Sequence, residues 1–361
     1  METEATAGMV SELREAADRV VADRTDHQRT RRLRRSEPGY DPDLLELFVE
    51  LGWFGVLVPE EKGGLGLGLA EMSALARSLE KGLLSDPLLP IAVLGTLALV
   101  HVESDAADVL LAGILAGEVR PALALGFDAA MPIVNAQGGK LSGHCASVAG
   151  GTAATHFIVP ARDGDAVALY AVPVGAAGAA LEQRWRADES PVGHLVLNDV
   201  ADIVLLATGE AAQQAIECAI DETRLVVSSA LVGLSEQMLD MTLDYLKVRQ
   251  QFDVPIGSFQ ALQHKIVDLY IQKEIAVATA ELGLTLAGRG ELVMGALRAK
   301  GRTSAVANRI GREALHLHGA IGFTDEHDIG LYLKRALTLA SWLGNVATHR
   351  RRYIEMGMVT R

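Results

Sequence analysis

Arg249-Gln-Gln-Phe-Asp-Val-Pro-Ile-Gly-Ser-Phe-Gln260 separates two long helical patterns, and the rest of the chain is organised around it. Within it, Asp253-Val-Pro-Ile-Gly257 carries turn chemistry: a proline with no amide hydrogen to give a helix, then a glycine. Upstream, Ala211–Phe252 places Ile216, Ile220, Leu225, Leu231, Leu234, Met238, Met241 and Tyr245 at mostly three- and four-residue spacings, interrupted only by Gly233. Downstream the period resumes over Phe259–Leu286. After a break at Gly288–Gly290 it continues over Glu291–His318, then over His327–Met356, with His318–Asp325 as a loop. Of the 11 prolines, only Pro255 lies beyond Pro191. Four long helices with short connections predict an antiparallel four-helix bundle over residues 208–361.

Working outward, residues 1–120 also read as helical, with candidates at Val10–Thr25, Pro42–Leu51, Leu69–Lys81 and Ala106–Ala116. Gly63-Gly-Leu-Gly-Leu-Gly68 lacks the lysine of a phosphate-binding loop and follows no strand pattern, so it reads as a structural turn. Residues 121–207 differ. His156–Val159, Ala166–Val172 and His194–Leu197 are β-like runs, and Arg162-Asp-Gly-Asp165 is a turn between two of them. The expectation is a mainly α chain with a central β-domain: helical at 1–120, β at 121–207, and the bundle at 208–361.

Composition removes several classes of function. The 361 residues hold 46 acidic and 33 basic side chains, a formal charge of −13, which excludes a typical nucleic-acid binder. Hydrophobic residues at 49% and charged residues at 22% exclude disorder as the main state, and 4% aromatic residues imply an aliphatic core. Cys145 and Cys218 cannot form a disulfide framework or a cysteine-based zinc site. No signal peptide is visible at the N-terminus. The longest apolar stretch, Pro87–Val100, is interrupted by Pro90 and too short to span a bilayer, so the expectation is a cytoplasmic protein with no membrane partner. His316 and His318, two apart on a helix, point away from one another and make a poor metal pair. Arg31-Arg-Leu-Arg-Arg35 reads as a solvated basic surface.

Four stretches in order carry a resemblance. Leu51-Gly-Trp-Phe-Gly-Val-Leu-Val-Pro-Glu60 with Gly63–Gly66, Asp221-Glu-Thr-Arg224, Arg249–Phe252 with Pro255-Ile256 and Phe259-Gln260, and His318-Gly-Ala-Ile-Gly-Phe-Thr-Asp-Glu326 together resemble the acyl-CoA dehydrogenase family. The resemblance implies that family's fold: a helical N-terminal domain, a β-barrel-like middle domain and a C-terminal four-helix bundle. It also implies α,β-desaturation of an acyl-CoA thioester. A glutamate takes the α-proton, the β-hydride passes to N5 of FAD, and an electron-transfer flavoprotein or similar acceptor takes the electrons. In the family each FAD lies at a dimer interface and is held by two chains.

The departures from the family pattern are as informative. The family keeps its base at one of two positions, and here these are Thr223, before Arg224, and Leu343, before Gly344. Neither side chain can accept a proton at neutral pH, so no catalytic residue is assigned to this chain. Glu222 is adjacent, but one residue turns a helix by about 100°. It is kept as a displaced-base alternative. Arg224 is left with either a structural or a substrate-polarising role.

By resemblance, Arg249, Gln251, Phe252, Gln260, His316, Gly319 and Ala320 form the half-site offered to a neighbour's FAD. The half-site that holds the flavin ring in the same chain does not match the family at Ala124–Pro132 or at Ala146–Gly151. The implied protein is a base-less subunit that shares FAD with a homologous chain carrying the catalytic glutamate. It resembles the degenerate subunit of bacterial α2β2 acyl-CoA dehydrogenases, several of which act on sterol side-chain CoA thioesters. The alternatives are a flavin-dependent monooxygenase of the same fold and a non-enzymatic homomeric scaffold.

Overall fold

The computed structural model describes residues 2–359. In chain order the helices begin with α1 (Glu2–Arg24), α2 (His27–Leu33), α3 (Pro42–Glu50), α4 (Leu69–Lys81), α5 (Thr96–Val100) and α6 (Asp105–Leu115). Eight strands follow: β1 (Pro121–Leu123), β2 (Ile133–Gln137), β3 (Lys140–Val148), β4 (His156–Asp163), β5 (Ala166–Pro173), β6 (Ala179–Trp185), β7 (Pro191–Val200) and β8 (Val204–Thr208). Then come α7 (Gly209–Val248), a two-residue ribbon of β9 (Gln250–Gln251) and β10 (Val254–Pro255), α8 (Gln260–Ala287), α9 (Leu292–His318), α10 (Ile329–Ser341) and α11 (Val346–Val359). The chain divides into two compact units. One holds 28–72 and 85–223, the other 73–84, 224–361 and the N-terminal segment to His27.

The first unit is built on one mixed sheet, ordered β6-β7-β3-β2-β4-β5-β8 with β1 pairing β4 in parallel. Only three of its strands are legible as apolar runs in the sequence. The others are short or half exposed: β2 alternates around a single buried residue, Val134, and β6 keeps no residue fully inside. Local chemistry sets the helix starts. Pro42 opens α3 and Asp41 Oδ1 accepts from the amides of Asp43 and Leu44, at 3.1 and 3.4 Å. Ser104 Oγ accepts from the Ala107 amide ahead of α6 at 3.2 Å. The stretch around Pro90 is a π-helical turn, Leu89–Gly95, buried throughout and running into α5. The glycine-rich loop is a closed turn. The amides of Gly63, Gly64, Leu65 and Gly66 donate to the carbonyls of Glu60, Pro59, Gly55 and Val58, so they cannot cradle a phosphate.

The second unit is helical. Its core runs through Leu225, Leu231, Leu234 and Met238 on α7 and Ala299, Val306, Ile310 and Ala314 on α9. The interruption of the α7 pattern at Gly233 has a packing cause. A Cβ there would stand 2.0 Å from the carbonyl oxygen of Arg77, so α4 and α7 touch backbone to backbone. Beside that contact Arg77 and Lys81 both pair with Glu236, the latter at 3.2 Å. Gly233→Ala is therefore expected to destabilise by about 1–3 kcal/mol through overpacking. In an exposed helix the same change would stabilise by about 1 kcal/mol. Denaturant midpoints of the two proteins give the sign.

The last predicted helix is two helices. Between α10 and α11, Trp342 is extended at φ −66° and ψ 135°, while Leu343 and Gly344 take φ values of +58° and +107°. A Cβ on Gly344 would lie 2.9 Å from His349 Cε1, which keeps that position to glycine.

Candidate functional site

Two places in the second unit bear on chemistry. The first is a pocket of about 450 Å³ where the end of α7 and the ribbon meet the end of α9. Five of the residues that the sequence singled out line it: Arg249, Gln251, His316, Gly319 and Ala320. Phe252 and Gln260 are not in the lining. Phe252 is 86% exposed at φ +54° and meets Phe259 edge to face at 6.2 Å, while Gln260 is the exposed first residue of α8. The pocket brings in Tyr245, Ile256, Leu317, His318 and Ile321, which the sequence reading left out.

Local geometry explains the shape of the pocket. The Arg249 amide donates to Tyr245 O at 2.9 Å, and the Ile256 amide donates back to Arg249 O at 2.8 Å, which closes the ribbon under the arginine. At the other wall Gly319 ends α9 with φ +65°, and no atom lies within 4 Å of where its Cβ would be, so the backbone there is open to a ligand. His316 is exposed and His318 is buried, as expected of residues two apart.

The second place is the turn at Leu339–Gly344. Three buried nitrogenous side chains hold its carbonyls. Lys300 Nζ donates to Leu339 O at 2.8 Å and to Ala340 O at 3.3 Å, Arg224 Nε donates to Leu343 O at 2.8 Å, and His349 Nε2 lies 2.9 Å from Gly344 O. Because a carbonyl only accepts, His349 carries its proton on Nε2. Burial, with the charge of Arg224 adding, pushes the Lys300 ammonium well below the ordinary lysine range. Burial, then the charges of Lys300 and Arg224, push His349 down to about 3.

The sign of the linkage follows from that shift. A depressed native pKa means that the unfolded chain binds a proton which the native chain refuses. The stability is complete above the free imidazole value of about 6.5 and is lost as pH falls from there toward 3. His349→Gln, which can still donate to Gly344 O, is expected to flatten that part of the stability profile in urea titrations at stepped pH.

The two positions at which the resemblance expects a base, Leu343 and Thr223, are apolar or engaged. Leu343 is fully buried within this turn. Thr223 is fully buried, and its hydroxyl donates to Ala219 O at 2.6 Å. Glu222, in the first unit, lies 2.8 Å from His101 Nε2 with its side chain 17% exposed, so its carboxylate is held by a histidine at the end of α5. The two segments that depart from the family's ring-holding pattern are closed within the first unit as well. Gly126–Ala130 is a turn bonded to itself, with the Gly126 amide on Ala130 O at 2.8 Å. Val148, Ala149 and Gly150 are buried, and Gly150 lies against Pro90 and Ile91.

Comparison with known proteins defines the class. Residues 9–106 match the model of the acyl-CoA dehydrogenase N-terminal domain and residues 212–357 that of the C-terminal domain. The chain belongs to the acyl-CoA dehydrogenase family. It is 30% identical over 337 residues to acyl-CoA dehydrogenase IpdE2 of Mycolicibacterium smegmatis, covering 92% of this chain and 93% of the relative. Among solved structures it is similar to a variant of the Tcur3481-Tcur3483 steroid ACAD, with a TM-score of 0.88, 29% identity, and 98% of this chain and 99% of that one covered. It is also similar to the ChsE4-ChsE5 complex of Mycobacterium tuberculosis, with a TM-score of 0.86, 25% identity and 98% of each chain covered.

Proposed function

We propose that this chain is the base-less, flavin-sharing subunit of a heteromeric acyl-CoA dehydrogenase that desaturates a sterol-derived acyl-CoA. The observation that carries this reading is the mismatch between the two places described above. The pocket keeps its arginine and its open glycine backbone, while both base positions hold side chains that cannot take a proton. A homo-oligomer would repeat the same deficiency at every site, so a partner with a glutamate is required. The two similar solved structures, each named for two proteins, support the heteromeric form, and the one named a steroid ACAD supports the substrate class.

In this reading Arg249 supplies a guanidinium fork to the pyrophosphate of the partner's FAD, and Gly319-Ala320 lets the backbone approach it. Gln251, Phe252, Gln260 and His316 complete the wall presented to the neighbour. FAD, when bound, supplies the hydride acceptor, and electrons leave to an acceptor of the electron-transfer flavoprotein type. In this reading Arg224, whose Nε donates to Leu343 O, takes the structural one of the two roles open to it. Exposed apolar side chains one or two residues along the chain from lining residues, Val248 at 74%, Phe252 at 86% and Phe323 at 72%, suit burial against a second chain.

The test is to co-purify the chain with a homologous, glutamate-bearing partner and count flavin per chain. The expected result is one flavin per pair, desaturation by the mixture only, and unchanged turnover with Glu222→Gln. Stoichiometric flavin and acyl-CoA oxidation by this chain alone would overturn the proposal. Loss of turnover with Glu222→Gln would restore that residue as a displaced base.

A further inference from the structure

One edge of the first unit's sheet is β6, which pairs with β7 on one side and with no strand on the other among the described residues. The pairing is antiparallel, with Glu182 opposite His194 and Gln183 opposite Gly193. Two hydrogen bonds bracket it and fix which groups turn inward. The Arg186 amide donates to Ser190 O at 3.0 Å, and the Asn198 amide donates to Gly178 O at 2.9 Å. Bonded pairs alternate along an antiparallel ladder, so Ala180, Glu182 and Arg184 exchange bonds with β7. The amides and carbonyls of Leu181, Gln183 and Trp185 therefore point away from the sheet. None of them has a main-chain partner among the described residues.

The edge is accessible. None of the seven residues of β6 is buried, and Trp185 is 37% exposed. Gln183 Nε2 donates to Ser36 O at 3.2 Å, which ties the strand to the segment ahead of α3 without using its own main chain. Natural edges are often blunted by a proline or a bulge. β6 contains no proline, and its register against β7 is unbroken from Ala179 to Trp185. It carries instead one acid and one base on its exposed face. Arg184 Nη2 lies 3.1 Å from Glu182 Oε2, and the two side chains are 50% and 66% exposed. Charges of one sign would repel a second copy of the strand, whereas one of each sign attracts it.

The spacing makes the strand self-complementary. With two copies of β6 antiparallel and Gln183 opposite Gln183, the outward groups of Leu181, Gln183 and Trp185 meet as bonded pairs. Glu182 of each copy then falls opposite Arg184 of the other, at the non-bonded positions where side chains come closest. On the other face Leu181 of each copy meets Trp185 of the other. Sliding the strands by two residues keeps the main chains in phase but sets Glu182 opposite Glu182 or Arg184 opposite Arg184. Sliding by one sets outward groups against inward ones. A single register satisfies both the main chain and the charges.

We propose that β6 is a homotypic docking edge, pairing antiparallel with β6 of a second copy of this chain about a two-fold axis at Gln183. The contact uses no residue of the pocket and none of the base positions, so it stands or falls apart from the flavin reading. Two seven-residue strands make a small interface, in the class below about 1,200 Å² that gives weak and reversible association.

The test is sedimentation velocity on the full chain from micromolar to submillimolar concentration. The natural sequence is expected to pass from one chain to two. Arg184→Glu sets acids against acids and Glu182→Arg sets bases against bases, so each is expected to weaken the association at least about tenfold. An equal mixture of the two variants should pair again, because one strand is then acidic and the other basic. The double change Glu182→Arg with Arg184→Glu reverses the pattern and should associate like the natural sequence. Both side chains are exposed, so the melting temperatures should match. Hydrogen exchange gives a second reading: the amides of Leu181, Gln183 and Trp185 should slow with concentration in the natural sequence and not in the single variants. A chain that stays single throughout, or single variants that associate as tightly as the natural sequence, overturns the proposal and leaves the two charges as a device that blunts the edge. Charge-sensitive association without protection of those three amides also overturns it, because the attraction then acts without strand pairing.

Discussion

Arg249→Ala, assembled with its partner, is expected to lose about two orders of magnitude in flavin affinity. The arginine lines the pocket between α7 and the ribbon, with its amide on the Tyr245 carbonyl and its carbonyl on the Ile256 amide. A guanidinium offers two parallel donors to a diphosphate and stays charged in any surrounding. Removing one partner of such a pair in a desolvated interface costs about 2–5 kcal/mol, and each 1.4 kcal/mol is tenfold. Arg249→Lys keeps the charge without the fork and should recover roughly a tenfold share of the loss. Flavin fluorescence released on dilution of the purified complex measures both. Retention of flavin by the alanine variant would remove the half-site reading, since Arg249 is the one arginine or lysine among the described residues that line the pocket.

Glu80→Ala is expected to be the most destabilising single change, at about 3–5 kcal/mol, because it strands a buried guanidinium. Glu80 on α4 is fully buried. Arg335 on α10 reaches it through Nε at 3.0 and 3.2 Å and through Nη2 at 2.8 Å, a two-nitrogen grip on one carboxylate. The neighbouring Tyr332 hydroxyl donates to Lys81 O at 2.7 Å and ties the same two helices. The double change Glu80→Leu with Arg335→Met removes both charges and should recover most of the loss, since two well-packed apolar residues need no partner. Urea midpoints of the single and double variants decide it. A single variant as stable as the parent would mean that the carboxylate contributes nothing to holding α4 on α10.

Much of the fold was legible because it is written in local chemistry. The α7 and α9 periods, the proline-scarce tail and Pro255 in the turn each depend on residues a few positions apart. The same holds for the Leu69–Lys81 helix, which the structure reproduces residue for residue. The β-domain was half legible. β4, β5 and β7 are buried runs, whereas β2 and β6 are mostly exposed and lack a continuous apolar signature. The break between α10 and α11 was hidden. Ser341-Trp-Leu-Gly-Asn345 fits a helical period, and what opens it is the hydrogen bonding of Leu343 O to Arg224, 119 residues away, and of Gly344 O to His349, with Lys300 on the Leu339 and Ala340 carbonyls just before it.

For the candidate site the division is similar. Arg249, Gln251, His316, Gly319 and Ala320 were named from their motifs, and the structure brings them to one pocket. His318 was visible as half of a poor metal pair and as the first residue of a family-like stretch, with no site role assigned. Its unpaired Nε2 arises from burial beneath Tyr245 and His327, and neither spacing nor composition encodes burial. Lys300 in Arg298-Ala-Lys-Gly-Arg302 resembles an ordinary helix-surface cation until α10 and His349 are packed over it.

By itself, the sequence determined the kind of chain this is: the order of helical and β segments and the motifs of the acyl-CoA dehydrogenase family, with threonine and leucine at the two positions where the resemblance expects a glutamate. Residue identity is enough for that last statement, because no packing gives those side chains a basic oxygen. Only the tertiary structure decided where the remaining polar groups are committed. It bound Glu222 to His101, fastened Arg224, Lys300 and His349 to one turn, and buried His318 Nε2 with no hydrogen-bond partner among the described residues. Those assignments depend on burial and on partners distant in sequence, and they exist only once the helices have packed.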